Sequence, residues 1–424
     1  MTITLNHLTR YMTAAIGCLA ALVMSVVGVA AQSGPPITIG YSISMTGGLA
    51  ANGKSALLAQ KIWEEEVNAK GGLLGRPVKL VYYDDQSSPA VIPGIYTKLL
   101  DFDKVNLISG SYGTALIAPA MPIVMQRKKL MVGLAGLAVN NEFNYPNYFS
   151  MLPAGPDPKP SFTKGFFDAA MEQNPKPRTV AIIAADQEFS INAAEGARAN
   201  AKKAGLTIVY DKTYPPATAD FTPIVRAIQA TNPDLVVIGA YPPDAVGMVR
   251  AVHEVGFKPK MIGGAMVGLQ TTAIKMQLGP VLNGWVNYDY WEPFPKLIAP
   301  GVEEFLKKYQ ARAQAEGIDP LGYYMGPWGY AQLQVIQQAV EATKSLDDQK
   351  LASYIRSNII KTVLGDIKFG AKGEWAESRM LTVQYHSIKG NGLEQFRTMG
   401  TQTLLSPKAY STGKVIYPFA KARE

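Results

Sequence analysis

Residues 48 to 55, GLAANGKS, fit G-x-x-x-x-G-K-[ST]. That is the spacing of a loop that cradles phosphates: backbone N–H groups wrap the anion, the lysine reaches the terminal phosphates and the hydroxyl holds Mg²⁺. The flanks suit that chemistry, with the apolar ITIGYSIS before it, a helical pattern from Ser55 after it and VKLVYYDD downstream as an acid-tipped second strand. Nucleotide hydrolysis is therefore the first activity to weigh against the rest of the chain.

Other reactive groups are scarce. Beyond the first thirty or so residues the only histidines are His253, in the helical AVGMVRAVHEVGF, and His386, in the strand-like LTVQYHSI. A nucleophilic triad needs a histidine beside an activated serine, and SGSYG at 109 to 113 is not G-x-S-x-G. Glu64, Glu65 and Glu66 belong to a helix surface, where a solvated face is the usual role. The single cysteine, Cys18, leaves no disulfide framework and no thiolate metal site. These residues predict no catalytic centre, no metal and no cofactor, with a secreted hydrolase as the remote alternative.

The N-terminus places the chain outside the cytoplasm. MTITLNHLTRYMTAAIGCLAALVMSVVGVAAQ has a lone Arg10, an apolar core from about Ala14 and small residues at Ala30 and Ala31, the pattern of an export signal cleaved near Ala31. Cys18 goes with it, and Ala15-Ile16-Gly17 is a poor lead-in for lipidation. No later stretch reaches membrane-spanning length. Little ATP or GTP is available there, which weakens the phosphate-loop reading.

About 390 residues then remain, enough for two domains. The formal net charge of +8 is spread in short pairs with no basic run, so nucleic acid is not an expected partner. Short β-branched runs such as TVAIIAAD and DLVVIGAY alternate with amphipathic helical patterns, and their continuous hydrophobicity predicts parallel strands buried on both faces. In the helix at 55 to 70, Ala59, Trp63 and Val67 recur every four residues beside Leu58 and Ile62, and Gly71-Gly72 stops it. The Pro- and Gly-dense MLPAGPDPKPSF (151 to 162) reads as a linker, with further changes of texture at 287 to 301 and 363 to 375. Three crossings between two lobes account for them.

The stretches IGYSISMTGGLAANG, NAKGGLLGRPVKLVYYDDQSSP, DQEFSINAAEGARANAKKAGL, the long DFTPIVRAIQATNPDLVVIGAYPPDAVGMVRAVHEVGFKPKMIGG and YAQLQVIQQAVEA together resemble the periplasmic substrate-binding proteins of branched-chain amino acid (leucine/isoleucine/valine) ABC transporters. The resemblance covers nearly the whole mature chain, in order. It implies the α/β type I periplasmic-binding fold: two Rossmann-like lobes with parallel central sheets, a three-stranded hinge and a ligand cleft between the lobes. Lobe 1 would comprise 32–154 plus 290–362, and lobe 2 155–289 plus 363–424. It also implies a small-molecule ligand, permease subunits of an ABC importer as partners and a periplasmic location. A monomer is the default expectation, and a periplasmic ligand sensor of the same fold is a second possibility.

The same resemblance places ligand-binding groups at Asn52, Ser111, Tyr112, Gly113, Thr114, Gly136, Leu137, Phe189, Tyr241 and Ala265. Ser111, Tyr112 and Thr114 offer hydroxyls just before a helix, whose free N–H groups and dipole favour a carboxylate. Thr114 could equally be an N-cap. Phe189 stands where an amino-acid binder of this family has Tyr, and Ala265 where it has the acid that holds the α-ammonium. A desolvated ammonium with no counter-charge costs several kcal/mol. The expected pocket, with Tyr112, Phe189, Tyr241 and Tyr323 or Tyr324, therefore leans to a carboxylate or aromatic compound lacking an α-amino group; leucine, isoleucine, valine or another amino acid is the alternative. Trp63 and Trp328 are assigned to the core.

Overall fold

A computed structural model describes residues 33–216 and 218–424. The expected export signal, its expected cleavage site and Cys18 lie outside the described residues. Among those described, no helix is long and apolar enough to cross a membrane.

The chain builds two parallel-dominated sheets. In the first, β1 (Ile37–Ile43) lies between β2 (Val78–Asp84) and β3 (Leu107–Ile108), both parallel to it. A further parallel pair, β4 (Met131–Gly133) and β5 (Tyr148–Ser150), joins through the bridge Tyr112 to Leu134. The helix Ala50–Ala69 buries the expected stripe of Leu58, Ala59, Ile62, Trp63 and Val67. That stripe faces helix Gly326–Thr343, where Gln60 Nε2 donates to Gln332 (2.9 Å) and the Trp63 indole to Gln337 (2.8 Å). Gly72 ends the helix at φ 74°, its N–H returning to the Val67 carbonyl, a conformation that side chains resist.

The second sheet has seven strands in the order β14-β13-β10-β9-β8-β6-β7. Its parallel part comprises β6 (Thr179–Ala185), β7 (Thr207–Tyr214), β8 (Leu235–Ala240), β9 (Met261–Met266) and β10 (Val286–Asp289). Strands β8 and β9 are buried at every residue, as apolar runs without alternation require. An antiparallel edge follows, β13 (Leu381–Tyr385) and β14 (Gln402–Ser406), while β11 (Ile359–Thr362) and β12 (Gly365–Lys368) form a separate antiparallel pair.

The chain passes between the two sheets three times: after β5, after β10 and after β12. The first and third passages are hydrogen-bonded together, Ser150 N–H to the Gly373 carbonyl (2.8 Å) and Arg379 N–H to the Pro153 carbonyl (2.8 Å). The three changes of texture in the sequence fall on these passages.

Candidate ligand-binding site

Strand order decides where a cleft can open. In the first sheet the neighbours of β1 are β2 and β3, and in the second the neighbours of β6 are β7 and β8. The connections therefore leave in opposite directions at β1/β3 and at β6/β8, and a crevice forms at the carboxyl ends there. Asn52 follows β1, Tyr112 to Thr114 follow β3, Phe189 follows β6 and Tyr241 follows β8. Two switch points thus face one another.

Between them lies a cavity of about 10 Å³, room for roughly one water. Tyr112, Gly113, Thr114 and Ala135 line it from the first lobe, Phe189, Tyr241 and Val267 from the second, and Tyr288, Tyr290 and Tyr324 close it near the second passage. The lobes touch across the cleft, with Asn192 Nδ2 donating to the Leu137 carbonyl (3.2 Å).

The lining residues carry no charge but many hydroxyls. Asn52 Nδ2 donates to Tyr112 Oη (2.9 Å); Tyr112 and Tyr324 hydroxyls lie 3.4 Å apart, and those of Tyr324 and Tyr288 2.8 Å apart. Burial pushes the Tyr112 hydroxyl up to about 12, and burial likewise raises Tyr241, so both keep their protons. Tyr241 Oη and Asn52 Oδ1 are buried without a partner, a deficit that a bound molecule can fill. Phe189 meets the Tyr241 ring edge-on with centroids 5.8 Å apart, and Tyr290 stacks on Tyr324 at 5.2 Å.

The expected site residues divide. Tyr112, Gly113, Thr114, Phe189 and Tyr241 share the cavity. Asn52 stands behind it, bonded to Tyr112. Ser111 donates instead to the buried carboxylate of Asp85 (2.9 Å), so its hydroxyl is committed within the first lobe. Gly136 packs against Tyr148 and Ile117, its carbonyl accepting from Ser150 (3.0 Å). Leu137 belongs to the contact between lobes rather than to the cavity wall. Ala265 is fully buried inside β9, paired with Gly239, and the residue of that chain segment that reaches the cavity is Val267, two positions on. The position is apolar either way.

Thr114 is not an N-cap. Gly113 holds that position, and Thr114 Oγ1 accepts from Leu137 N–H (2.9 Å), leaving the hydroxyl proton free to donate. Helical turns run on from Thr114 to Gln126, and the first N–H groups of such a run have no intrahelical acceptor.

Ala135, Val267, Tyr288 and Tyr290 escaped the sequence reading. A signal for two of them existed: in NYDYW, Tyr288 and Tyr290 are two apart on extended chain and so face the same way.

The phosphate-loop pattern is not a loop. The helix begins at Ala50, so Asn52, Gly53, Lys54 and Ser55 are already helical. A Cβ on Gly53 would sit 2.0 Å from the Ser44 carbonyl, so this glycine exists to let helix and strand end meet. Ser55 Oγ lies 2.7 Å from Tyr309 Oη, in a buried hydrogen bond. Asp84 ties down the turn through Met45 N–H (2.9 Å) and Thr46 Oγ1 (2.7 Å). The acidic helix face is also more than a solvated surface: Glu64 accepts from Leu80 N–H (2.7 Å), Glu65 pairs with Arg312 and Glu66 with Lys308, both at 2.9 Å.

His386 sits between Ser387 Oγ (3.0 Å) and Thr403 Oγ1 (2.8 Å), but among the described residues no carboxylate bonds to the ring to orient it as a base. Among the described residues no cluster of three His, Cys, Asp or Glu could hold a metal.

Residues 36–391 match the family model described as periplasmic binding protein. A Leu/Ile/Val-binding protein of Citrobacter freundii is 26% identical over 338 residues, 78% of this chain and 86% of that one. Among solved structures, a leucine binding protein from Thermotoga maritima superimposes with a TM-score of 0.73 at 20% identity, covering 87% of this chain and 97% of that chain. A solute binding protein of an ABC transporter from R. palustris, in complex with benzoate, does so with a TM-score of 0.72 at 16% identity, covering 90% and 99%. With two switch points facing one cleft and a family match over most of its length, the chain belongs to the periplasmic binding proteins and has the type I fold of the substrate-binding proteins of branched-chain amino acid ABC transporters.

Proposed function

We propose that this protein is the periplasmic receptor of an ABC importer, exported by its N-terminal signal, and that its ligand is a small carboxylate lacking an α-amino group, aromatic or branched. The carrying observation is the cavity wall: ten residues, none charged, with five tyrosine hydroxyls. An ammonium would meet no counter-charge there. A carboxylate would meet the Thr114 hydroxyl, the unpartnered Tyr241 hydroxyl and the positive end of the helical turns after Gly113. The benzoate complex of the R. palustris relative supports this reading, and the names of the leucine-binding relatives support amino acids.

The lobes would divide at 32–154 plus 290–362 and 155–289 plus 363–424, with the hinge at the three passages. Ligand shifts the balance to the closed form because only that form contacts it from both sides. A permease then reads the closed lobes.

One observation favours an amino acid: Glu188, one residue before Phe189, is half-buried near the cleft. It would supply the counter-charge that Ala265 and Val267 do not.

A thermal-shift panel on refolded, ligand-stripped protein separates the readings. Benzoate at about a hundred times Kd is expected to add about 2.7 kcal/mol, several degrees, with leucine giving less. A shift with leucine that the Glu188→Gln variant abolishes would establish the amino-acid reading instead.

A further inference from the structure

The passages between the lobes enclose a second cavity, of about 230 Å³, far larger than the space in the cleft. Pro153 reaches it from the first passage, Trp291 and Ala299 from the second, Trp375 and Arg379 from the third, and Leu364 from the β11–β12 turn. Its walls are flat and aromatic: Tyr290, Trp291, Trp328 and Trp375, with the last two rings 5.7 Å apart. Trp328, assigned to the core from sequence, thus has a cavity beside it.

The polar groups here are donors in excess. The Arg379 guanidinium lies 4.2 Å from the Trp375 ring and, among the described residues, makes one hydrogen bond, Nη1 to the Leu364 carbonyl at 3.4 Å, which leaves most of its five N–H groups available to a ligand. Tyr410 and Asp366 act on it only through space, and among the described residues no carboxylate forms an ion pair with it. Lys296 Nζ donates to the Ala409 carbonyl (2.9 Å). The indole N–H groups of Trp328 and Trp375 are buried without an acceptor. Among the described residues no Asp or Glu lines the cavity.

The geometry points to a second binding site at the hinge, for a small aromatic carboxylate whose ring lies among the indoles and whose anion meets Arg379 and Lys296. An excess of donors calls for an acceptor-rich partner, and a guanidinium fork fits a carboxylate in two-pronged fashion. Because residues of all three passages line it, its occupant touches the elements that bend when the lobes move. Its binding and that of the cleft ligand are then thermodynamically coupled, each altering the affinity of the other by one factor.

The test is ¹⁹F NMR of the mature protein with 4-fluorobenzoate as probe, on wild type and on Tyr241→Ala, Arg379→Gln and Ala299→Trp, each checked for folding by circular dichroism. A bound resonance that survives Y241A and weakens about tenfold or more in both R379Q and A299W is expected. Ala299→Trp fills the cavity without removing a charge, so it decides the matter if R379Q unfolds. Absence of any bound resonance in Y241A, or one unchanged in A299W, overturns the hinge site. A resonance lost in Y241A alone reports the cleft, so failure of the hinge site and failure of the cleft reading give different patterns.

Discussion

Asn192 of the second lobe donates its amide to the backbone carbonyl of Leu137 in the first, at 3.2 Å, across a cleft that holds no more than about a water molecule. This contact exists only while the lobes are together. Asn192→Ala is therefore expected to weaken ligand binding by about 1 kcal/mol, roughly fivefold. Calorimetric titration checks it; an unchanged affinity would remove this contact from the closure energetics.

The Tyr241 hydroxyl is buried and unpaired while the lobes are together. Deleting it relieves an unsatisfied group, so Tyr241→Phe is expected to match or exceed wild type in ligand-free stability. The same change should cost about 1 kcal/mol or more of ligand affinity, because the hydroxyl finds its partner in the complex. Opposite signs in two assays are the signature; a loss of ligand-free stability would mean the hydroxyl already has a partner.

Glu374 titrates where stability assays can see it. Its carboxyl is buried with neither oxygen hydrogen-bonded, while the adjacent Ser150 hydroxyl donates to the Gly136 carbonyl. Burial lifts it from 4.5 to about 8, against the opposing pulls of the nearby Ser150 hydroxyl and of Lys372. Being an acid with a raised native value, it binds more protons in the native than in the unfolded state between those two pH values. Its contribution is thus fully present below about 4.5 and is lost as pH rises to about 8. Glu374→Gln removes that loss. Wild type should fall behind the variant between pH 5 and 8 by on the order of a few kcal/mol, read from denaturant midpoints; parallel curves would contradict it.

Closure should also depend on pH. Burial first, and then the negative charge of Glu142 in the first lobe, raise the Glu188 carboxyl, with Lys159 opposing. A closed form that raises an acid's pKa is favoured by protonation. Ligand affinity should therefore decline as pH climbs from the unperturbed carboxylate range through the raised value of Glu188, and Glu142→Gln should flatten the decline. Titrations at several pH values with both proteins decide it.

Much of the fold was written in local patterns. The stripe Ala59, Trp63, Val67 and the apolar runs of β6, β8 and β9 carry their own periodicity, so helix, strand and parallel sheet followed from them. The passages showed as clusters of Pro and Gly. The cleft was legible only in part, because a side chain's direction depends on register and on partners distant in sequence. Tyr112, Phe189 and Tyr241 come together from three separate strand ends. Ser111 lies beside them but turns to Asp85, and Ala265 misses the cavity that Val267 reaches. Nothing local distinguishes those pairs. The GLAANGKS pattern had to be weighed against the whole chain for the same reason: spacing alone does not say that the helix starts at Ala50.

A cleft for a carboxylate without an α-amino group must discriminate between two ligands that differ only in that group. Leucine and 4-methylpentanoate share the branched chain and the carboxylate. Isothermal titration of refolded protein with each is expected to show 4-methylpentanoate binding at least about tenfold tighter, about 1.4 kcal/mol. Tighter binding of leucine would contradict the account and show that an anion such as Glu188 holds the ammonium.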